Sequence, residues 1–192
     1  MPKEFAKKYL AELKGSIDRL PMDKIEEVVG VLSEAYKEGR HIFVMGNGGS
    51  AATASHFACD FAKGTGVKGK KKMKVIALTD NVPLMTAWGN DSSYDDIFSA
   101  QLEPFLEKRD VVIVFTGSGN SRNILKAVEY ANSAGARTVA FTGFKGGKVK
   151  DLAKHVLIVP SDNMERIEDL HLILEHLIHL YFFEAISEGR IS

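Results

Sequence analysis

Three stretches of this chain carry side chains whose types and spacing suit chemistry on a polar, anionic ligand. The first is Gly46-Asn47-Gly48-Gly49-Ser50, continued by Ala51 to Lys63. A glycine turn between a strand and a helix gathers backbone N–H groups and a helix N-terminus around one small volume, which suits an anion or a polyol. His56 and Asp60 follow, four residues apart. They share a helix face and can hold a metal or exchange a proton beside whatever the loop binds. The second stretch is Thr116-Gly117-Ser118-Gly119-Asn120-Ser121, with three hydroxyls, small residues and a helix start. Those are the groups a phosphate monoester requires. A plain turn with Ser121 as N-cap explains one of them, but a run built only of Gly, Ser, Thr and Asn exceeds what a cap needs.

The third stretch, Glu165 to His179, contains Glu168, His171, Glu175, His176 and His179. Its apolar residues go nearly all the way round a helix, so it is deeply buried or in an interface. A His or Glu buried there must be paired or liganded. At about 100° per residue, Glu168, Glu175 and His179 fall within about 40° of each other, and His176 lies about 80° from Glu168. Periodicity therefore leaves open which histidine faces the ligand.

The elements that must position these groups alternate. Strands are expected at 41–46, 74–79, 110–116, 137–142 and 155–160, with helices at about 50–63, 83–88, 121–134, 146–153 and 164–187. Val111-Val112-Ile113-Val114-Phe115 is apolar at every position, the mark of a parallel strand covered on both faces. Two helices, 3–19 and 23–39, come first, separated by Pro21 and stopped at Gly39. The broad stripe Ile25, Val28, Val29, Val31, Leu32 and Tyr36 is of the kind that packs on a partner helix, including one from another subunit. The expected fold class is α/β: a three-layer, doubly wound, five-stranded parallel sheet of flavodoxin-like order 2-1-3-4-5. Residues 1–192 form one domain, with 1–40 as an N-terminal helical extension. In that order the first and third strands are neighbours at the switch point, so both Gly/Ser loops open into one cleft.

Composition removes other classes. Lys plus Arg and Asp plus Glu both number 25, a balance that points away from nucleic acid and from an anionic membrane. Cys59 is the only cysteine, so no internal disulfide forms, and a reducing, cytoplasmic setting is expected. No apolar h-region follows Met1-Pro2-Lys3-Glu4, and no run approaches the roughly 20 apolar residues of a spanning helix. Lys63 to Lys74 reads as a solvated loop or as a basic rim that steers anions. Gly46-x-Gly48-x-x-Ala51 nearly matches a dinucleotide fingerprint, but the acidic residue that should follow the second strand is displaced to Asp80, which argues against a nucleotide-dependent oxidoreductase.

Taken together, Gly46-Asn47-Gly48-Gly49-Ser50 with His56-Phe57-Ala58, Gly89-Asn90-Asp91, Ser118-Gly119-Asn120-Ser121, and Arg166-Ile167 with His176 resemble the sedoheptulose-7-phosphate isomerase (phosphoheptose isomerase) family of the sugar-isomerase (SIS) fold. The resemblance covers nearly the whole chain. It implies an enzyme of heptose biosynthesis that converts sedoheptulose 7-phosphate to D-glycero-D-manno-heptose 7-phosphate through an enediol. It implies substrate binding by Asn47, Gly48, Gly49, Ser50, Asn90, Asp91, Thr116, Gly117, Ser118, Ser121 and Glu168. It also implies a zinc ion (Zn2+) held by His56, Asp60, Glu168 and His176, catalysis by His176 and Asp60, and a homotetramer, which leaves open whether a cleft draws on one subunit or on several. Two positions depart from the family pattern, which commonly has glutamate where this chain has Asp60 and glutamine where it has Glu168. Asp60 is one methylene shorter, and Glu168 adds a charge that tightens a divalent cation while weakening it as a Lewis acid. Within the same fold, the DnaA initiator-associating protein is a non-catalytic binder. In such a binder the metal-and-base set need not be intact, whereas His56, a carboxylate at 60 and His176 are all present here.

Overall fold

Val111 to Phe115 are fully buried because their strand is the middle one of five. In the computed structural model, which describes residues 2–191, the sheet runs in the order β2-β1-β3-β4-β5 with every pairing parallel. The strands are β1 (His41–Gly46), β2 (Lys74–Ala77), β3 (Val111–Thr116), β4 (Arg137–Thr142) and β5 (His155–Ile158). Side chains alternate across the sheet as the strand period demands. Ile42, Val44, Val111, Ile113, Phe115, Val139 and Phe141 face one apolar layer, while Phe43, Met45, Val112, Val114 and Ala140 face the other. The fold class and strand order are those expected from the sequence.

Helices α1 (Pro2–Ile17) and α2 (Met22–Glu38) lead the chain. The layer on the first face is built from α2, α3 (Gly49–Cys59) and α7 (Met164–Ser187). The opposite layer uses the short α5 (Ser99–Leu102) and α6 (Arg122–Ser133). The α2 stripe is consumed inside the chain: Ile25, Val28, Val31, Leu32 and Tyr36 are all buried, so it is not the face left for a partner. Helix α1 buries only Ser16 and is held to α7 by polar ties, Tyr9 to Asp169 and Arg166 to Glu12. Among the described residues, no helix is long and apolar enough to cross a membrane.

The sequence-based boundaries fail in three places for identifiable reasons. The helix expected at 146–153 is a single 3₁₀ turn, Val149–Asp151, because Gly146 and Gly147 take positive φ (85° and 54°) and turn the chain toward the neighbouring loop. The helix expected at 83–88 extends over Val82–Asp91 (α4), capped by the Asn81 side chain, so Asn90 and Asp91 ride on its last turn. Finally, α3 does not run unbroken to residue 63. It passes into a π-helical turn, Asp60–Gly64, which re-aims the side chains that follow. The lysine-rich segment after it is a largely exposed loop, with Lys71 anchored to the Lys37 carbonyl (2.9 Å) and laid over the Tyr36 ring.

His171 lies beneath this architecture, its ring against Phe115 and Phe141, with the backbone of Thr142 as its polar neighbour. Burial drives its pKa from the usual 6.5 down to about 4. The folded chain therefore resists a proton that the unfolded chain accepts, and the stability that depends on a neutral His171 is full above pH 6.5 and lost as pH falls toward 4. Urea denaturation at pH 7.5 and pH 5 is expected to show that His171→Phe removes about 2 kcal/mol of the acid-induced loss. An identical loss in the variant would show that His171 is not the group responsible.

Candidate active site

Because β1 and β3 are hydrogen-bonded neighbours, with Gly46 opposite Phe115, the loops that leave them meet at the carboxyl edge of the sheet. They enclose a cleft of about 290 Å³. Asn47, Gly48, Gly49, Ser50, Thr116, Gly117, Ser118 and Ser121 all line it, as does Glu168 from α7. Gly48 turns the chain at φ 56°, and α3 begins at the next residue. A Cβ on Gly117 would overlap Met164, so the absence of a side chain there lets α7 close over the loop.

Two devices hold the loops rigid. Asn47 and Asn123 exchange side-chain amide hydrogen bonds of 2.9 Å in both directions, and the Tyr94 hydroxyl donates to Asn47 Oδ1 at 3.0 Å. Asn123 is itself buried. It was not singled out from the sequence; the available signal was an amide among the apolar, buried positions of α6. The hydroxyl loop is braced from behind by the segment once read as a helix. Val149 N–H donates to the Gly119 carbonyl (2.9 Å) and Lys148 N–H to Asn120 Oδ1 (3.0 Å). Ser121 occupies the N-cap position of α6 without making a side-chain cap bond, so its hydroxyl remains available to the cleft.

A second constellation lies further along α3 and α7. His56, Asp60, Glu175 and His176 each offer one ligand atom, and all four atoms lie within 4.8 Å of one another, a group able to hold a metal ion. His56 Nε2 is 3.5 Å from Asp60 Oδ2, and His176 Nε2 is 3.4 Å from Glu175 Oε2. The two histidine rings meet edge to face at 4.9 Å. His179 Nδ1 is 3.8 Å from Asp60 Oδ2. Burial, reinforced by the Asp60 carboxylate, pushes the Glu175 carboxyl up to about 7. Burial also lowers the pKa of His179, against the pull of Asp60.

Three of the four residues that the resemblance gives as metal ligands are thus gathered, and Glu168 is not among them. The reason is helix register. Glu168 contacts the start of α3, where a Cβ on Gly49 would overlap its carboxylate, whereas His176 meets His56 further along the same helix. Eight residues of α7 separate Glu168 from His176, roughly 12 Å at about 1.5 Å per residue. Asn90 and Asp91 are likewise not brought into the cleft of this chain. They are exposed, and Asn90 donates to Asp91 (2.8 Å). Asp80, the out-of-place acid of the dinucleotide pattern, accepts a hydrogen bond from Ser55.

This geometry has close counterparts. A SIS domain family model matches residues 6–143. The chain is 39% identical over 178 residues to the phosphoheptose isomerase of Aquifex aeolicus, covering 93% of each. It is 41% identical over 176 residues to the probable phosphoheptose isomerase of Thermoplasma acidophilum, covering 90% of this chain and 94% of that one. A solved phosphoheptose isomerase from Francisella tularensis superposes with a TM-score of 0.88 at 28% identity, over 96% of this chain and 99% of the other. On the strength of these matches, this chain belongs to the phosphoheptose isomerase family of SIS-domain proteins.

Proposed function

We propose that the chain is a phosphoheptose isomerase that interconverts sedoheptulose 7-phosphate and D-glycero-D-manno-heptose 7-phosphate. The observation that carries this reading is the joining, by α3 and α7, of the cleft they line with Gly49, Ser50, Met164 and Glu168 to the His56, Asp60 and His176 group further along the same two helices. The same joining favours an enzyme over a non-catalytic binder, for which the second group has no use. The phosphate would lie in the Thr116 to Ser121 loop, held by hydroxyls and by the α6 N-terminus. The sugar body would lie along Asn47 to Ser50, with Glu168 above it.

The donor set suits zinc. A tetrahedral zinc with bonds of about 2.0–2.2 Å places its ligands about 3.3–3.6 Å apart, and the His56–Asp60 and Glu175–His176 pairs already stand at 3.5 Å and 3.4 Å. Held by His56, Asp60 and His176, such an ion supplies positive charge toward the carbonyl and hydroxyl oxygens of the sugar.

The chain's own residues perform the proton transfers. His176 takes the proton from C1 of the ketose, and the C–H electrons form the C1–C2 double bond of a cis-enediol as O2 gains a proton. Returning the proton to C2 while O1 gives up its own yields the aldose. Asp60, with two carboxylate oxygens, is the second acid/base group and carries the proton between O1 and O2. The loops fix the register of the chain of carbons, so that only the first two reach these groups.

What α1 and α7 leave uncovered supports oligomer formation. Phe5 and Leu10 on α1, and Leu177, Leu180, Tyr181 and Phe183 on α7, are exposed. We place these faces in a homotetramer, within which Asn90 and Asp91 serve the cleft of a neighbouring subunit. We also place the enzyme in the cytoplasm, where the free Cys59 stays reduced.

A panel of sugar phosphates assayed with and without chelator, with mass spectrometry of the product, tests the assignment. Turnover is expected on the heptose phosphate and is expected to fall when metal is removed. His176→Ala is expected to lower kcat by roughly 10²-fold or more with the circular dichroism unchanged; full activity in that variant would remove the assignment of the base. Ser121→Ala is expected to raise KM roughly tenfold by deleting a hydrogen bond to a charged group, with kcat much less affected. Light scattering should return four times the 21.1 kDa chain mass; a monomer would contradict the tetramer.

A further inference from the structure

Glu175 is a buried carboxyl group that the fold alone does not explain. Its side chain is fully buried, and neither oxygen has a hydrogen-bond partner among the described residues. The basic atom beside it, His176 Nε2 at 3.4 Å, belongs to a half-exposed ring, and Asp60 is an acidic neighbour. Without a proton, a carboxyl group is kept in such a place when something compensates it: a paired charge, hydrogen bonds or a cation. Hydrogen bonds are missing, and the remaining compensation points into the group formed with His56, Asp60 and His176. Glu168 is elsewhere, with its carboxylate on Gly49 in the cleft.

We propose that Glu175 is the fourth ligand of the metal centre, in the role that the resemblance gives to Glu168, and that Glu168 faces the sugar instead. The inference rests on the metal-assisted reading above. Charge supports it: Asp60 and Glu175 together neutralise a divalent cation, so the filled site carries no net charge where α7 packs on α3. Reach supports it as well. Asp60 is shorter than the glutamate common in the family, and Glu175 brings a longer arm from the facing helix into the same space.

The test is zinc binding by the whole metal-stripped chain, read by calorimetry and by the rise in melting temperature on adding zinc. Cobalt absorption serves as a second report on the donor set. Glu175→Gln is expected to weaken zinc binding about tenfold or more and to lose most of the zinc-induced thermal shift. Glu175→Leu, similar in volume, gives the same readout should the amide disturb the packing. Glu168→Gln is expected to keep zinc affinity within about twofold, since it touches no ligand, while raising KM for the sugar phosphate. Unchanged zinc binding in both Glu175 variants, or its loss in Glu168→Gln, overturns the assignment of Glu175 alone. A wild-type chain that takes up no zinc overturns the metal-assisted reading together with it.

Discussion

The site depends on the close approach of two helices that run side by side in the same direction. Helix α3 leaves β1 and α7 leaves β5, and both descend the same face of the sheet. Two glycines leave room between them for side chains of α7. At the start of α3, Gly49 has no side chain, and the Glu168 carboxylate occupies the space. At the end of the π turn, Gly64 does the same for the His179 ring. Between these two points, His56 and Asp60 face Glu175 and His176. A methyl group at either glycine would displace the Glu168 carboxylate or the His179 ring from the place it now takes, although neither glycine contributes any chemistry.

That packing divides labour along α7 by register. Its first turns belong to the cleft, where Met164 closes over Gly117 and Glu168 lines the cavity. Its middle belongs to the group formed with His56 and Asp60, and its apolar core residues Ile167, Leu170, Leu174, Ile178 and Phe182 fasten both regions to the sheet. The neutral, buried His171 is part of that fastening and not of the site. In the proposed reaction, binding and proton transfer occupy separate stretches of one helix, which suits an extended sugar held at one end while the other is isomerised.

Much of this was legible in the residues alone, and the limits have physical causes. The central strands were plain because burial on both faces leaves no polar position in Val111 to Phe115. The two Gly/Ser loops were plain because a turn needs few of the groups they carry. Val149, Leu152 and Ala153 imitate a helical stripe, but Gly146 and Gly147 spend that segment on bracing the hydroxyl loop. Asn123 escaped notice because its importance lies in a partner 76 positions away, Asn47. The angular wheel of α7 grouped Glu168 with Glu175, since they share a face. Only the helix-to-helix register, a tertiary fact, separates the one over Gly49 from the one beside Asp60.

The most direct test of the account is anomalous diffraction at the zinc edge from crystals of the whole chain grown with zinc and sedoheptulose 7-phosphate. It predicts one strong peak bounded by His56, Asp60 and His176, with the phosphate of the sugar enclosed by Thr116 to Ser121 in a cleft that opens toward that peak. A zinc peak elsewhere on the chain, or a phosphate bound outside that loop, would contradict it.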